Sequence, residues 1–224
     1  MRLLDRDLDA VLFDLDGTLV DSAPDLVAAM QRLCHELGAK APDAAAVRSV
    51  VSKGGRAMLR RGLPGLDEKR YDALLPRFLD IYAADIAVLS RPFDGVEELI
   101  AAIEARGARW GVVTNKAGWL ARPLLEHLRW SQRCSALVCG DCLSVKKPDP
   151  APILRACELA GVAPARCAYV GDDRRDIEAG CAAGLYTVAA AWGYLDGEDP
   201  QVWSADWVAG SARDLQRSLA LQAA

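Results

Sequence analysis

The pattern of apolar and polar positions divides the chain into three parts. Ala10-Val-Leu-Phe13 is an apolar run of strand length that stops at Asp14 and Asp16, where Gly17-Thr18 lets the backbone turn away. From about Ser22 to Ser90 apolar residues recur every three or four positions with no convincing strand, which predicts a block of helices. Ser22-Ala-Pro-Asp25 opens the first helix, Gly38 and Pro42 close it, and Gly62-Leu-Pro-Gly65 separates two more. Beyond Arg91-Pro92, strand and helix patterns alternate. Helices are predicted over 95–106, 117–128, 151–160 and 175–183, with a closing one from Ala212. Strands are predicted over 110–115, 136–139, 167–170 and 186–191, with a short one at Trp207-Val208. This alternation predicts an α/β fold, a doubly wound and mostly parallel sheet with helices on both faces. The helical block then reads as a lid inserted after the first strand, giving a core of 1–19 and 92–224 and a lid of 20–91.

Composition narrows the classes. With 224 residues, 52% of them hydrophobic, the chain can bury a substantial core. Its 27 basic and 31 acidic residues nearly balance, and no basic run is long enough to follow a nucleic-acid backbone, so no nucleic-acid partner is expected. No stretch approaches the roughly 20 apolar residues of a membrane span, and the mixed charges of Met1 to Asp9 do not resemble a secretory signal. Seven scattered cysteines fit a reducing cytoplasm, and Cys139/Cys142 lacks the further ligands of a zinc site. A monomer or homodimer is expected.

Four polar clusters fall at the ends of apolar strands or just beyond: Asp14/Asp16, Thr114/Asn115, Lys146/Lys147, and Asp172/Asp173/Asp176. A parallel sheet gathers such ends along one edge. Asp14 and Asp16 alone also suit a polar turn. Together the clusters suit phosphoryl chemistry, with Asp14 attacking phosphorus and Asp16 exchanging a proton with the leaving alcohol and then with water. Asp14, Asp172 and the backbone carbonyl of Asp16 supply hard oxygen ligands for Mg²⁺, without which these acids would repel a phosphate. The Thr114 hydroxyl and the Asn115 backbone N–H are placed to bind the transferring group, and Lys147 steadies both it and Asp14. Asp173 and Asp176 are expected to orient Lys147 and the metal's waters. The substrate expected is a small phosphorylated metabolite.

Asp14-Leu-Asp-Gly-Thr-Leu19, Val113-Thr-Asn115, Lys147-Pro-Asp-Pro150 and Gly171-Asp-Asp-Arg-Arg-Asp176 resemble, in order, the four motifs of the haloacid-dehalogenase superfamily. The resemblance implies a Rossmann-like core, Mg²⁺ dependence, an aspartyl-phosphate intermediate and a small helical cap. It also implies a central first strand flanked by the Thr114 and Asp172 strands. Asp16 argues against the haloacid dehalogenases themselves, which have no alkoxide to protonate, whereas phosphomutases of the β-phosphoglucomutase type keep both acids. The chain is most similar to the phosphoglycolate phosphatase branch. Within it, Gly54-Gly-Arg-Ala-Met58, Trp110-Gly-Val-Val-Thr-Asn-Lys116 and Trp192-Gly-Tyr194 resemble the N-acetylmuramic acid 6-phosphate phosphatases.

Lys53-Gly-Gly-Arg56 would lie in the lid above Asp14. Arg56 is the main candidate for reading a substrate carboxylate, with Lys53 beside it, although the same residues suit a capping loop with exposed charges. His35 and His127 lie far from every motif and read as surface or packing residues, as do the tryptophans. A phospho-accepting signalling receiver also groups acids, a Thr and a Lys, but the position of the nucleophile and the helical insertion oppose it.

Overall fold

A computed structural model describes residues 8–220, so most of the Met1 to Asp9 segment and the last four residues lie outside the description. Six strands form one parallel sheet: β1 (Ala10–Phe13), β4 (Arg109–Val113), β5 (Ala136–Val138), β6 (Cys167–Gly171), β7 (Tyr186–Ala190) and β8 (Trp207–Ala209). Their spatial order is β5-β4-β1-β6-β7-β8, so β1 is central between the Thr114 and Asp172 strands, as the resemblance implies.

Alternation along the strands feeds two cores. Val11 and Phe13 of β1, Trp110 and Val112 of β4, and Ala168 and Val170 of β6 join one apolar cluster. The intervening Ala10, Leu12, Val113, Cys167 and Tyr169 join the cluster on the opposite face. Helices α5 (Val96–Ala105), α6 (Gly118–His127) and α9 (Ala212–Ala220) contribute to the first, and α7 (Ala151–Ala160) and α8 (Arg174–Ala182) to the second.

The sequence-predicted elements are present, with most ends shifted by one or two residues. The strand expected to run to Asn115 ends at Val113; the Thr114 amide still bonds the Val138 carbonyl, and the Thr114 hydroxyl accepts the Lys116 amide as the chain turns into the edge loop.

The helical block comprises α1 (Ala23–Glu36), α2 (Ala44–Ser49), α3 (Gly55–Gly62) and α4 (Glu68–Ala84), packed around an apolar cluster of their own that includes Met30, Leu33, Leu59, Phe78 and Tyr82. The two chain crossings pair as a short antiparallel ribbon, β2 (Val20–Asp21) with β3 (Arg91–Pro92), which the hydrophobic pattern did not reveal in segments of two residues. Asp25, buried in the first turn of α1, accepts hydrogen bonds from the Leu89 and Ser90 amides (both 2.8 Å) and from the Ser90 hydroxyl (2.5 Å). The outgoing helix thereby holds the returning chain.

On the sheet's first face, Trp110 and Trp130 meet edge to face at 5.8 Å between ring centroids. Their indole N–H groups donate to Glu104 and Glu97, which Arg133 bridges. Trp130 is completely buried. Replacing Trp130 by Ala is expected to cost about 3–5 kcal/mol of unfolding free energy. Urea titration monitored by circular dichroism checks this; a loss under about 1 kcal/mol contradicts the packing described.

Candidate active site

Because β1, β4 and β6 are adjacent and parallel, the residues just past their carboxyl ends, Asp14, Thr114 and Asp172, meet at one edge. The ladder continues into them: the Asp14 amide donates to the Val170 carbonyl and the Thr114 amide to the Val138 carbonyl, each at 2.9 Å. Gly17 then turns with φ +95°, and a Cβ there would stand 2.0 Å from Asp172 Oδ2, so both conformation and space require glycine.

Lys147 arrives from the loop between β5 and α7 and is 5% exposed. Its Nζ contacts Asp14 Oδ1 (2.7 Å), Asp176 Oδ1 (2.6 Å), the Val113 carbonyl (2.8 Å) and the Tyr169 hydroxyl (2.8 Å). The neighbouring charges of Asp14 and Asp176 outweigh burial and hold its pKa well above that of an ordinary lysine. Asp14 is pushed up to about 7, chiefly by burial, with Lys147 pulling the other way.

Asp172 is fully buried and meets neutral donors only: the Thr18 hydroxyl (3.0 Å), the Ser52 hydroxyl (2.8 Å) and the Tyr194 amide (2.8 Å). Among the described residues it has no ion-pair partner. Burial, together with Asp14 and Asp176, drives its carboxyl far above the usual range. Carboxylate oxygens of Asp14, Asp172 and Asp176 lie within 4.8 Å of one another. An all-oxygen, buried, like-charged set with one acid lacking a cation fits a hard divalent ion. Asp176 belongs to this cluster as well as to Lys147. Asp173 does not share that position. It caps α8, and Arg175 and Lys53 offset its burial to bring its pKa to about 2.

The Asp16 carboxylate accepts from Lys116 Nζ (2.9 and 3.3 Å) and from the Ser22 hydroxyl. Its backbone carbonyl accepts from Ser52 Oγ at 3.3 Å. The Asn115 side chain pins two loops together, donating to the Lys147 carbonyl and accepting from the Lys147 amide, both at 3.1 Å. The side chain is therefore spent on structure, and only the backbone N–H remains for the role expected of Asn115.

A cavity of about 370 Å³ opens over these groups, lined on the core side by Asp14, Thr114 and Lys147 and on the helical side by Leu26, Val51, Met58, Leu75 and Leu79. Lys53 and Arg56 both border it, but neither is a free cation. Lys53 contacts Glu198 (2.8 Å) and Asp173 (3.1 Å), and Arg56 pairs with Asp72 and, at 3.8 Å, with Glu68. These acids come from α4 and from the loops after β6 and β7, so both candidates for reading a substrate carboxylate are already paired within the chain. Among the described residues, Lys146 is the cavity-lining cation with no carboxylate partner.

Residues 11–190 match the model of the haloacid dehalogenase-like hydrolases. The chain belongs to this family. A phosphoglycolate phosphatase of Xanthomonas campestris pv. campestris is 49% identical over 198 residues, covering 88% of this chain and 90% of that protein. An N-acetylmuramic acid 6-phosphate phosphatase of Pseudomonas aeruginosa is 46% identical over 210 residues, 93% of each. A solved structure of a predicted phosphoglycolate phosphatase from Haemophilus somnus superposes with a TM-score of 0.84 at 26% identity, covering 94% of this chain and 97% of that one. The chain is therefore an enzyme of the family's phosphatase group.

Contributors that sequence reasoning did not single out include Lys116, Ser52, Arg175 and Tyr82. Lys116 and Arg175 lie inside the quoted motifs and carried a positional signal, whereas Ser52 and Tyr82 reach the site only because the helical block folds over it. His35 and His127 are exposed and line no part of the cavity, as expected. Cys139 and Cys142 gather only Asp141, whose carboxylate already accepts the Gly118 amide.

Asp14 and Asp172 bind protons more tightly folded than unfolded, so their contribution to stability is complete below about pH 4 and is lost as Asp14 ionises near 7. The metal-free protein is expected to lose Tm across that interval. A saturating divalent cation should raise Tm at pH 8 by several degrees and much less at pH 5, because protons compete for the same oxygens. Thermal melts with and without chelator check this, and an equal shift at both pH values contradicts the assignment.

Proposed function

We propose that the chain is a Mg²⁺-dependent phosphomonoesterase of the cytoplasm whose substrate is a small acidic sugar phosphate, N-acetylmuramic acid 6-phosphate, released during recycling of cell-wall fragments. The single observation that carries the substrate reading is the cavity. Its volume of about 370 Å³ lies in the range of roughly 300–1,000 Å³ typical of sites for drug-sized ligands, far more than a two-carbon acid fills. The aliphatic wall from the helical block suits the carbon face and acetyl methyl of a sugar. Lys146 is available to a carboxylate, and the Pseudomonas relative carries this substrate in its name.

In this reading the helical block, 20–91, is a cap, and 1–19 with 92–224 is the catalytic core. Asp14 attacks phosphorus to form an aspartyl-phosphate while Lys147, tied to Asp14 and Asp176, offsets the charge that gathers there. The Thr114 hydroxyl and the Asn115 backbone N–H hold phosphoryl oxygens. Asp16 gives its proton to the leaving alcohol, then takes one from the water that releases phosphate. Asp14, Asp172 and the Asp16 carbonyl would hold Mg²⁺, which when bound would offset charge on the phosphate oxygens. Asp176 supports the cluster through Lys147, and Asp173 supports it through Arg175 and Lys53.

Phosphoglycolate is the second reading, favoured by the name of the Xanthomonas relative. The deciding assay is kcat/KM with Mg²⁺ on N-acetylmuramic acid 6-phosphate, 2-phosphoglycolate and a hexose phosphate without the lactyl group. At least a tenfold preference for the first is expected. Preference for the second keeps the chemistry and overturns the substrate. Asp14→Asn is expected to abolish turnover with an unchanged circular dichroism spectrum; substantial residual turnover overturns the mechanism.

A further inference from the structure

Lys116 is a buried cation that the chemistry above does not use. Its backbone is fixed in the core: the amide donates to Thr114 Oγ1 (3.1 Å), and the carbonyl accepts the Gly140 amide (2.8 Å). Its Nζ reaches both Asp16 oxygens, at 2.9 and 3.3 Å, and the hydroxyl of Tyr82 on α4, at 2.9 Å, while standing 4.5 Å from the centre of the Tyr82 ring. Core and helical block thus share one ammonium group, and the carboxylate beside it is Asp16.

We propose that Lys116 is the positioning residue for the Asp16 carboxylate, and that Tyr82 makes this positioning complete only while the helical block rests on the core. A carboxylate that serves first the leaving oxygen and then a water must return to one place each time. Asp16 has two rotatable side-chain bonds and sits beside the turn at Gly17, so its backbone does not fix its oxygens. Ser22 holds one oxygen, and Lys116 spans both. Lys116 itself has a long flexible stem. The Tyr82 hydroxyl and ring face restrict it, and both come from α4. Lifting the helical block removes Tyr82, frees the ammonium and loosens Asp16. Asp16 is then fully aligned only over an enclosed substrate.

The proposal rests on Asp16 acting as the acid and base, and the test separates the two claims. kcat/KM reports only the steps up to leaving-group departure. An alkyl alcohol leaves with a proton, whereas p-nitrophenolate leaves without one. The readout is therefore the ratio of kcat/KM for the better of the two acidic alkyl phosphates to that for p-nitrophenyl phosphate. Asp16→Ala is expected to lower this ratio by about 10²–10³, Lys116→Met by about 10–10², and Tyr82→Phe by about 3–10. Lys116→Arg, which keeps a cation, should regain part of the loss.

If Asp16→Ala leaves the ratio unchanged, the acid–base reading itself fails. If Asp16→Ala lowers it and Lys116→Met leaves it within about twofold, the positioning role is overturned while that reading stands. An unchanged ratio in Tyr82→Phe beside a lowered one in Lys116→Met overturns the dependence on the helical block. Should Lys116→Met fail to fold by circular dichroism, Tyr82→Phe and Lys116→Arg decide the matter, because both preserve the bulk at these positions.

Discussion

Three buried carboxylates, Asp14, Asp172 and Asp176, share one end of the sheet, and the arrangement depends on what offsets their charge. Two unit charges within 4.8 Å repel by roughly 3–4 kcal/mol even at an effective dielectric constant of about 20. Lys147 answers two of the three acids with one ammonium, and the Val113 carbonyl and Tyr169 hydroxyl complete its shell. Asp172, which meets only neutral donors, is where a further positive charge fits. The same imbalance suits the cluster to a hard divalent cation.

Around this cluster a network of polar contacts joins core and helical block. Each has its own apolar centre, with Leu120 and Tyr194 of the core buried in that of the helical block and Ile86 and Phe93 flanking both. Between them stand Ser52 on Asp172, Arg175 on the Ser52 carbonyl, Lys53 on Asp173 and Glu198, and Lys116 between Asp16 and Tyr82. At the crossing ribbon the Tyr194 hydroxyl donates to Asp21 (2.6 Å) and accepts the Ala23 amide (3.0 Å), while its own amide serves Asp172. Polar contacts of this kind give specific registration at small net cost of separation, unlike a shared apolar core. The loop carrying Trp192, which was read as a packing residue, and Tyr194 is the strut between crossing and site.

The polar strand ends were legible from the sequence because each lies within a few residues of an apolar run, and because parallel pairing brings such ends together whatever their separation along the chain. Apolar runs ending in polar residues identified the strands, and three-to-four spacing identified the inserted helices. The two-residue strands β2 and β3 carry no periodicity and were invisible. The roles of individual charges were much less legible. Arg56 and Lys53, the candidates for reading a substrate carboxylate, each pair with carboxylates of this chain, and Asp173 pairs with Arg175 and Lys53 instead of Lys147.

The sequence by itself therefore determined the sheet, the insertion point and the residues at its carboxyl edge, since these follow from local periodicity and from the rule that parallel strands share a carboxyl end. Only the tertiary structure decided which charges neutralise one another, what closes the cavity and which partner holds Asp16. Side chains such as Tyr82, Ser52 and Glu198 reach the site from segments remote in the chain, and electrostatic pairing depends on distances of a few ångströms that no local pattern encodes.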